Sequence, residues 1–222
     1  MGTITRTFAN NITTSGVFKP TAFNNASFDN VTAVPSGALP AGGNMVLLST
    51  QTASASASIS FTSGIDSTYK EYMFIFNSIH SDSGGNNNFL TFNGSTDGGS
   101  NYNVTKTTSF FQARHNEADT ETSLSYMTGN DLAQSTSYQR VSHSTRNDSD
   151  TCYSGNFFLY NPSSTTFVKH FIANGSSVDD QSSNISDFMA GYANTTSAIN
   201  AIDFKMSSGN IDDGTIQMFG IL

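Results

Sequence analysis

The sequence predicts an all-β protein: an antiparallel, jelly-roll-like β-sandwich over residues 44–222, preceded by an extended N-terminal arm over residues 1–43. Three observations carry that expectation. Short apolar runs recur between clusters of Gly, Asn, Asp and Ser, the spacing of strands and turns. Helical periodicity is nearly absent. Aromatic residues reach 12%, as 18 Phe and 8 Tyr with no Trp, enough large rings to fill the space between two sheets.

The arm differs in texture from the rest of the chain. Isolated Phe and Val residues stand among Asn, Thr, Ser and Ala, no period is sustained, and three of the four prolines (Pro20, Pro35, Pro40) fall here. A segment of this kind gains order by docking, with Phe8, Phe18, Phe23 and Phe28 as anchors. Fully extended, it reaches roughly 140 Å. That reach points to an assembly, and attachment is expected here because the last strand runs straight to Leu222.

Strand signals begin at Met45–Leu48. From Ala53 to Thr62, Ala53, Ala55, Ala57, Ile59 and Phe61 alternate with Ser and Thr, the period of a half-buried strand. Tyr69–Ile79 is the most apolar run, with Tyr72, Phe74 and Phe76 on one face and Met73 and Ile75 on the other. That reads as a central strand covered on both sides. Further strands are expected over Asn88–Gly94, Tyr102–Ala113, Thr122–Met127, Cys152–Asn161, Thr165–Ala173, Ile185–Tyr192, Ile199–Met206 and Thr215–Ile221. Asn116–Leu132 is the one stretch that admits a short helix. Asn174–Gly175 suits a type I′ hairpin, since both residues tolerate positive φ. Gly209–Asn210 and Asp213–Gly214 punctuate the loop before the last strand.

Charge narrows the function classes. A net charge of −8 and a pI near 4.6 give nucleic-acid binding no electrostatic support. No apolar stretch approaches the length of a membrane span, and Met1–Arg6 is too polar for a secretory signal. Arg6 also stands where a myristoylation motif has Ser or Thr. The single cysteine, Cys152, excludes an intrachain disulfide and reads as a small core residue.

Chemistry-bearing residues are few. Ser95–Tyr102 (STDGGSNY) looks like an Asp-box, a structural hairpin in which Asp97 accepts backbone N–H bonds around Gly98 and Gly99. Asn101 stands where Thr is usual there, and Tyr102 replaces Trp. Acidic residues collect in loops: Asp82, Asp148 with Asp150, Asp179 with Asp180, and Asp212 with Asp213. None follows a known calcium loop, which leaves calcium between neighbouring loops as an open alternative. Glu117, Asp119 and Glu121 lie in a polar region where nothing marks a glycosidase pocket, and His115 near Glu117 reads as a surface pair. The other histidines, His80, His143 and His170, are scattered, and no hydrolase, zinc or phosphate-loop motif occurs. The expectation is a non-enzyme with no catalytic, cofactor or metal residues. Sequons at Asn25, Asn30, Asn103 and Asn194 arise from composition.

Three segments, Phe61–Phe76 (FTSGIDSTYKEYMFIF), Ser95–Asn103 (STDGGSNYN) and Met206–Ile221 (MSSGNIDDGTIQMFGI), resemble in that order a group of virion structural proteins of tailed phages of marine bacteria. The resemblance spans about residues 45–222, with the middle matched more loosely and the arm not clearly matched. It implies a protein displayed on the virion, as a tail-fibre or appendage subunit or as a capsid decoration, and no catalytic residues. The expected partners are other virion proteins through the arm and further copies of the chain, as a homotrimer. Host-surface glycans are a weaker expectation; nucleic acid and membrane are not expected. A carbohydrate-binding module unconnected with any particle is the alternative from a different class.

Overall fold

The computed structural model describes residues 44–85, 88–179 and 182–222. The arm and its phenylalanines, with Asn25 and Asn30, lie outside the described residues, as does Asp180. Asn44–Leu222 forms one compact unit.

Twelve strands follow one another: β1 (Met45–Thr52), β2 (Ile59–Phe61), β3 (Glu71–Ser81), β4 (Leu90–Ser95), β5 (Lys106–Asn116), β6 (Thr122–Tyr126), β7 (Gln139–Arg140), β8 (Tyr153–Tyr160), β9 (Lys169–Val178), β10 (Ser183–Ala193), β11 (Ala201–Met206) and β12 (Ile211–Ile221). All pairings are antiparallel. They form an eight-stranded sheet, β1-β12-β3-β8-β9-β10-β5-β6, and a four-stranded sheet, β2-β11-β4-β7. The β-sandwich is as expected.

The pairing is nested: β3 with β12, β4 with β11, β5 with β10, and β8 with β9. Nesting of this sort is how a strand ribbon rolls up into a jelly roll. The division between sheets departs from an even roll. β8 pairs with β3 and β9 with β10, so the innermost pair joins the large sheet and only β4–β11 anchors the small one.

The core lies between the sheets. Phe204 of β11 meets Phe61, Phe74, Phe76 and Phe157 at centroid distances of 5.1–6.4 Å, mostly edge to face. Phe92 of β4 packs on Phe157 and Phe171 of the large sheet at 4.6 and 5.1 Å. Edge-to-face packing aims a ring's positive edge at its neighbour's negative face, which adds to the gain from burying that area.

Five sequence expectations are corrected. Ala53–Ser58 is not a strand. Ala55 sits at φ 49°, and the segment bonds to the start of β12 through Ala53 N–H to Gly214 O and Ser56 N–H to Ile211 O. Its alternation belongs to the crossover that carries the chain from β1 in one sheet to β2 in the other.

β3 is central, but its Met73/Ile75 face is covered by nothing among the described residues and stays half-exposed. No helix occurs among the described residues: the 116–132 region holds a turn and β6. Asn174–Gly175 lies inside β9 rather than at a hairpin. The glycine is needed there because a Cβ would sit 2.5 Å from the Tyr153 ring. Asp213–Gly214 falls in β12 as a bulge, where Gly214 takes φ 113°; Gly209, at φ 70°, does make the turn before it.

Candidate interaction surface

Strand alternation gives the large sheet an inner and an outer face. On β5, Lys106, Thr108, Phe110 and Gln112 point inward and are buried, while Phe111 points outward and is 42% exposed. On β9 and β10, Phe171, Ala173, Asp187 and Met189 go inward, and Ile172 and Phe188 go outward.

The outer face should be mostly polar in an isolated sandwich, and here rows of large apolar side chains run among its hydroxyl and amide residues. Leu47, Phe219, Met73, Phe158 and Ile172 are successive cross-strand partners over five strands. In a second row Phe188 pairs with Phe111, and Phe111 with Tyr126 on β6. The Phe111 and Phe188 rings stack at 5.0 Å and 8°. Nine large apolar residues are strongly exposed among the described residues, and seven of them (Met45, Leu47, Phe111, Leu124, Tyr126, Ile172, Phe188) lie on this one face. Chance exposure would scatter them; concentration marks a contact surface.

Charge is nearly missing from the same face. Away from the bulged end of β12, where Asp212 and Asp213 sit, Glu71 is the only Asp, Glu, Lys or Arg pointing outward among the described residues of the eight strands. In a chain of net charge −8 that is a segregation.

Beneath the other face the structure buries charges that nothing local in the sequence announces. Lys106, 1% exposed, donates to Asn93 Oδ1 at 2.9 Å, Val104 O at 3.0 Å and Ser137 O at 2.7 Å. Burial lowers its pKa to about 7. Lys169 donates to Thr195 O at 3.1 Å and Ser197 O at 2.7 Å. Each lysine opens a strand and tethers a loop to it. The one signal for them is parity: Lys106 shares its phase with Phe110, and Lys169 with Phe171.

Asp187 is fully buried on β10, and its Oδ2 accepts the His143 N–H. Burial raises its pKa to about 7, against the opposing effects of that hydrogen bond and the Arg140 charge. Asp187 Oδ1, Tyr153 Oη, Ser177 Oγ and Gln112 Oε1 have no hydrogen-bond partner among the described residues. They sit on adjacent strands: Asp187 is paired with Gln112 on one side and Gly175 on the other, and Ser177 with Tyr153.

The Asp-box-like turn forms as its residue types suggest. Asp97 Oδ1 accepts from Ser95 Oγ at 2.6 Å and Asn101 N–H at 2.9 Å, and Oδ2 accepts from Asn101 Nδ2 at 2.7 Å. Ser95, then Asn101, holds its carboxyl down at about 2. Gly98 and Gly99 take φ 74° and 91°. Every one of these bonds serves the turn, with Asn101 in the place of the usual Thr.

Among the described residues the acidic loop side chains of Asp82, Asp148, Asp179 and Asp212 are held in local pairs and turns. Asp148, Asp150 and Asp179 line one open polar cleft with Arg146. Asp179 is engaged by Arg114 at 3.0 Å and by Ser183 N–H at 3.0 Å, and Asp148 by Arg146 at 3.3 Å. Asp82 caps Asn210 N–H at 2.8 Å, and Asp212 lies 3.7 Å from His80. No group of three or more possible ligands occurs among the described residues.

Glu117, Asp119 and Glu121 are exposed in the turn after β5. His115 contacts Asp119 at 3.1 Å rather than Glu117, and Glu121 pairs with Arg114 at 3.5 Å. Cys152 is half-buried just before β8 rather than in the core. Asn103 and Asn194 are exposed.

No family model, curated protein or solved structure matches this chain.

Proposed function

We propose that the chain is a structural protein of a tailed-phage particle, built to be packed against other proteins and displayed at the virion surface. The observation that supports it best is the broad, apolar, almost uncharged outer face of the eight-stranded sheet. A surface of that kind suits a subunit within an assembly, and it agrees with what the resemblance to virion structural proteins implies. In this reading the N-terminal arm attaches the subunit to its neighbours on the particle, copies of the chain assemble, and the chain performs no catalysis. A tail-fibre or appendage subunit comes first and a capsid decoration second.

A carbohydrate-binding role has one observation in its favour. Phe188, Phe111 and Tyr126 form an exposed aromatic row of the sort that stacks on sugar rings.

The test is quantitative mass spectrometry of gradient-purified particles. Copies in the tens per particle support an appendage, hundreds support a decoration, and absence from the particle refutes the proposal. Glycan-array binding that disappears in Phe111→Ala would favour the sugar-binding reading.

A further inference from the structure

We infer that the outer face of the eight-stranded sheet is a self-association surface, covered by the same face of a second copy of this chain. The inference rests on the proposed assembly and deepens it by naming its surface and symmetry.

The first argument is area. Strands about 4.8 Å apart make the face roughly 38 Å wide, and strands mostly eight to eleven residues long make it roughly 30 Å in the other direction. That offers about 1,000 Å², against roughly 800 Å² per partner in a standard stable interface. The row through Phe188, Phe111 and Tyr126 crosses the middle of β10 and β5, the row through Met73 runs nearer one end of β12 and β3, and the amides Gln217, Asn156 and Asn174 lie beside it.

The second argument is electrostatic. A charged partner would need countercharges, and away from the bulged end of β12 the described residues of the eight strands place only Glu71 on the face among Asp, Glu, Lys and Arg. Two identical acidic chains repel wherever their carboxylates face each other. Among the described residues the acids on this face are Glu71 and the Asp212–Asp213 bulge, all near strand ends, so two copies can approach through its middle without placing like charges together.

The third argument is shape. Sheets stack face to face at about 10 Å with interdigitating side chains, and the two faces need only be apolar and regular. One surface patch meeting itself implies a two-fold axis, hence a dimer rather than the trimer that the sequence suggests. Ile172 and Phe188 lie near the middle of the face and point away from the core, so changing them leaves the sandwich intact.

The experiment uses the full chain in solution and is independent of any particle. Sedimentation velocity at micromolar concentration is expected to give a dimer for the parent chain. Ile172→Glu and Phe188→Glu, separately, are expected to shift it to monomer with the thermal midpoint and far-ultraviolet spectrum of the sandwich retained. A parent chain that is monomeric overturns the inference. So does a variant that keeps its fold and its oligomeric state, since association then runs through another surface. Asn77→Glu, at an exposed position off the apolar rows, serves as the control and is expected to leave the dimer in place.

Discussion

Replacing Asp187 with asparagine probes the buried acid under the large sheet. Burial lifts the folded-state pKa to about 7 from an ordinary 3.8. The folded protein therefore binds a proton that the unfolded chain has lost between about pH 4 and pH 7. Stability tied to this group is present below pH 4, falls as the pH rises through that window, and is gone above pH 7.

A gap of about three pH units, at about 1.36 kcal/mol for each, sets the scale at about 4 kcal/mol. In Asp187→Asn the side chain keeps an acceptor for the His143 N–H without any charge. The assay is urea unfolding followed by far-ultraviolet dichroism and tyrosine fluorescence, at steps from pH 4 to pH 8, for parent and variant. Subtracting the two profiles removes Lys106 and every other group common to both. The difference is expected to grow in the variant's favour by up to about 4 kcal/mol across the window. Parallel profiles would refute the burial argument, and a parent that gains stability towards pH 8 relative to the variant would reverse its sign.

Further outcomes are expected from the packing. Gly175→Ala is expected to lose about 1–3 kcal/mol by urea unfolding, since its Cβ would strike the Tyr153 ring. Combined with Tyr153→Ala, it should cost markedly less than the two single losses added; simple additivity would exclude that clash. Phe204→Ala removes a ring that packs on Phe61 of its own sheet and on three rings of the large sheet, and is expected to lose about 3–5 kcal/mol. Ser95→Ala is expected to raise the Asp97 pKa from about 2 towards the ordinary range, read by NMR titration of the carboxyl carbon; an unmoved value would remove Ser95 from the turn's hydrogen bonding.

Legibility follows local physics. Strands such as β3, β8 and β10 are readable because short runs of aromatic and aliphatic residues stand between clusters of turn residues. The Asp97 turn is readable because the bonds its carboxylate accepts all lie within Ser95–Asn101. Ala53–Ser58 misleads because alternation of Ala and Ser is compatible with a crossover once one residue, Ala55, adopts positive φ. Asn174–Gly175 misleads because a turn signal and a glycine required by a ring on the neighbouring strand look the same in one dimension.

The outer face is half visible in the sequence. Met73 and Ile75 announce a second apolar side to β3, but the apolar row appears only when the registers of five strands place Leu47, Phe219, Phe158 and Ile172 beside Met73. Buried Lys106 and Asp187 are hidden for the opposite reason, since a lone charge reads as solvent-facing until long-range partners such as Ser137 O and His143 N–H are known.

As proposed, this sandwich is a particle component whose apolar sheet face is covered in the assembly. Cryo-electron microscopy of purified particles tests it most directly. Density outside the shell or on the tail is expected to fit the twelve-stranded body, with protein density packed against Phe111, Ile172 and Phe188. Particles without such density, or with the body present and that face open to solvent, would contradict it.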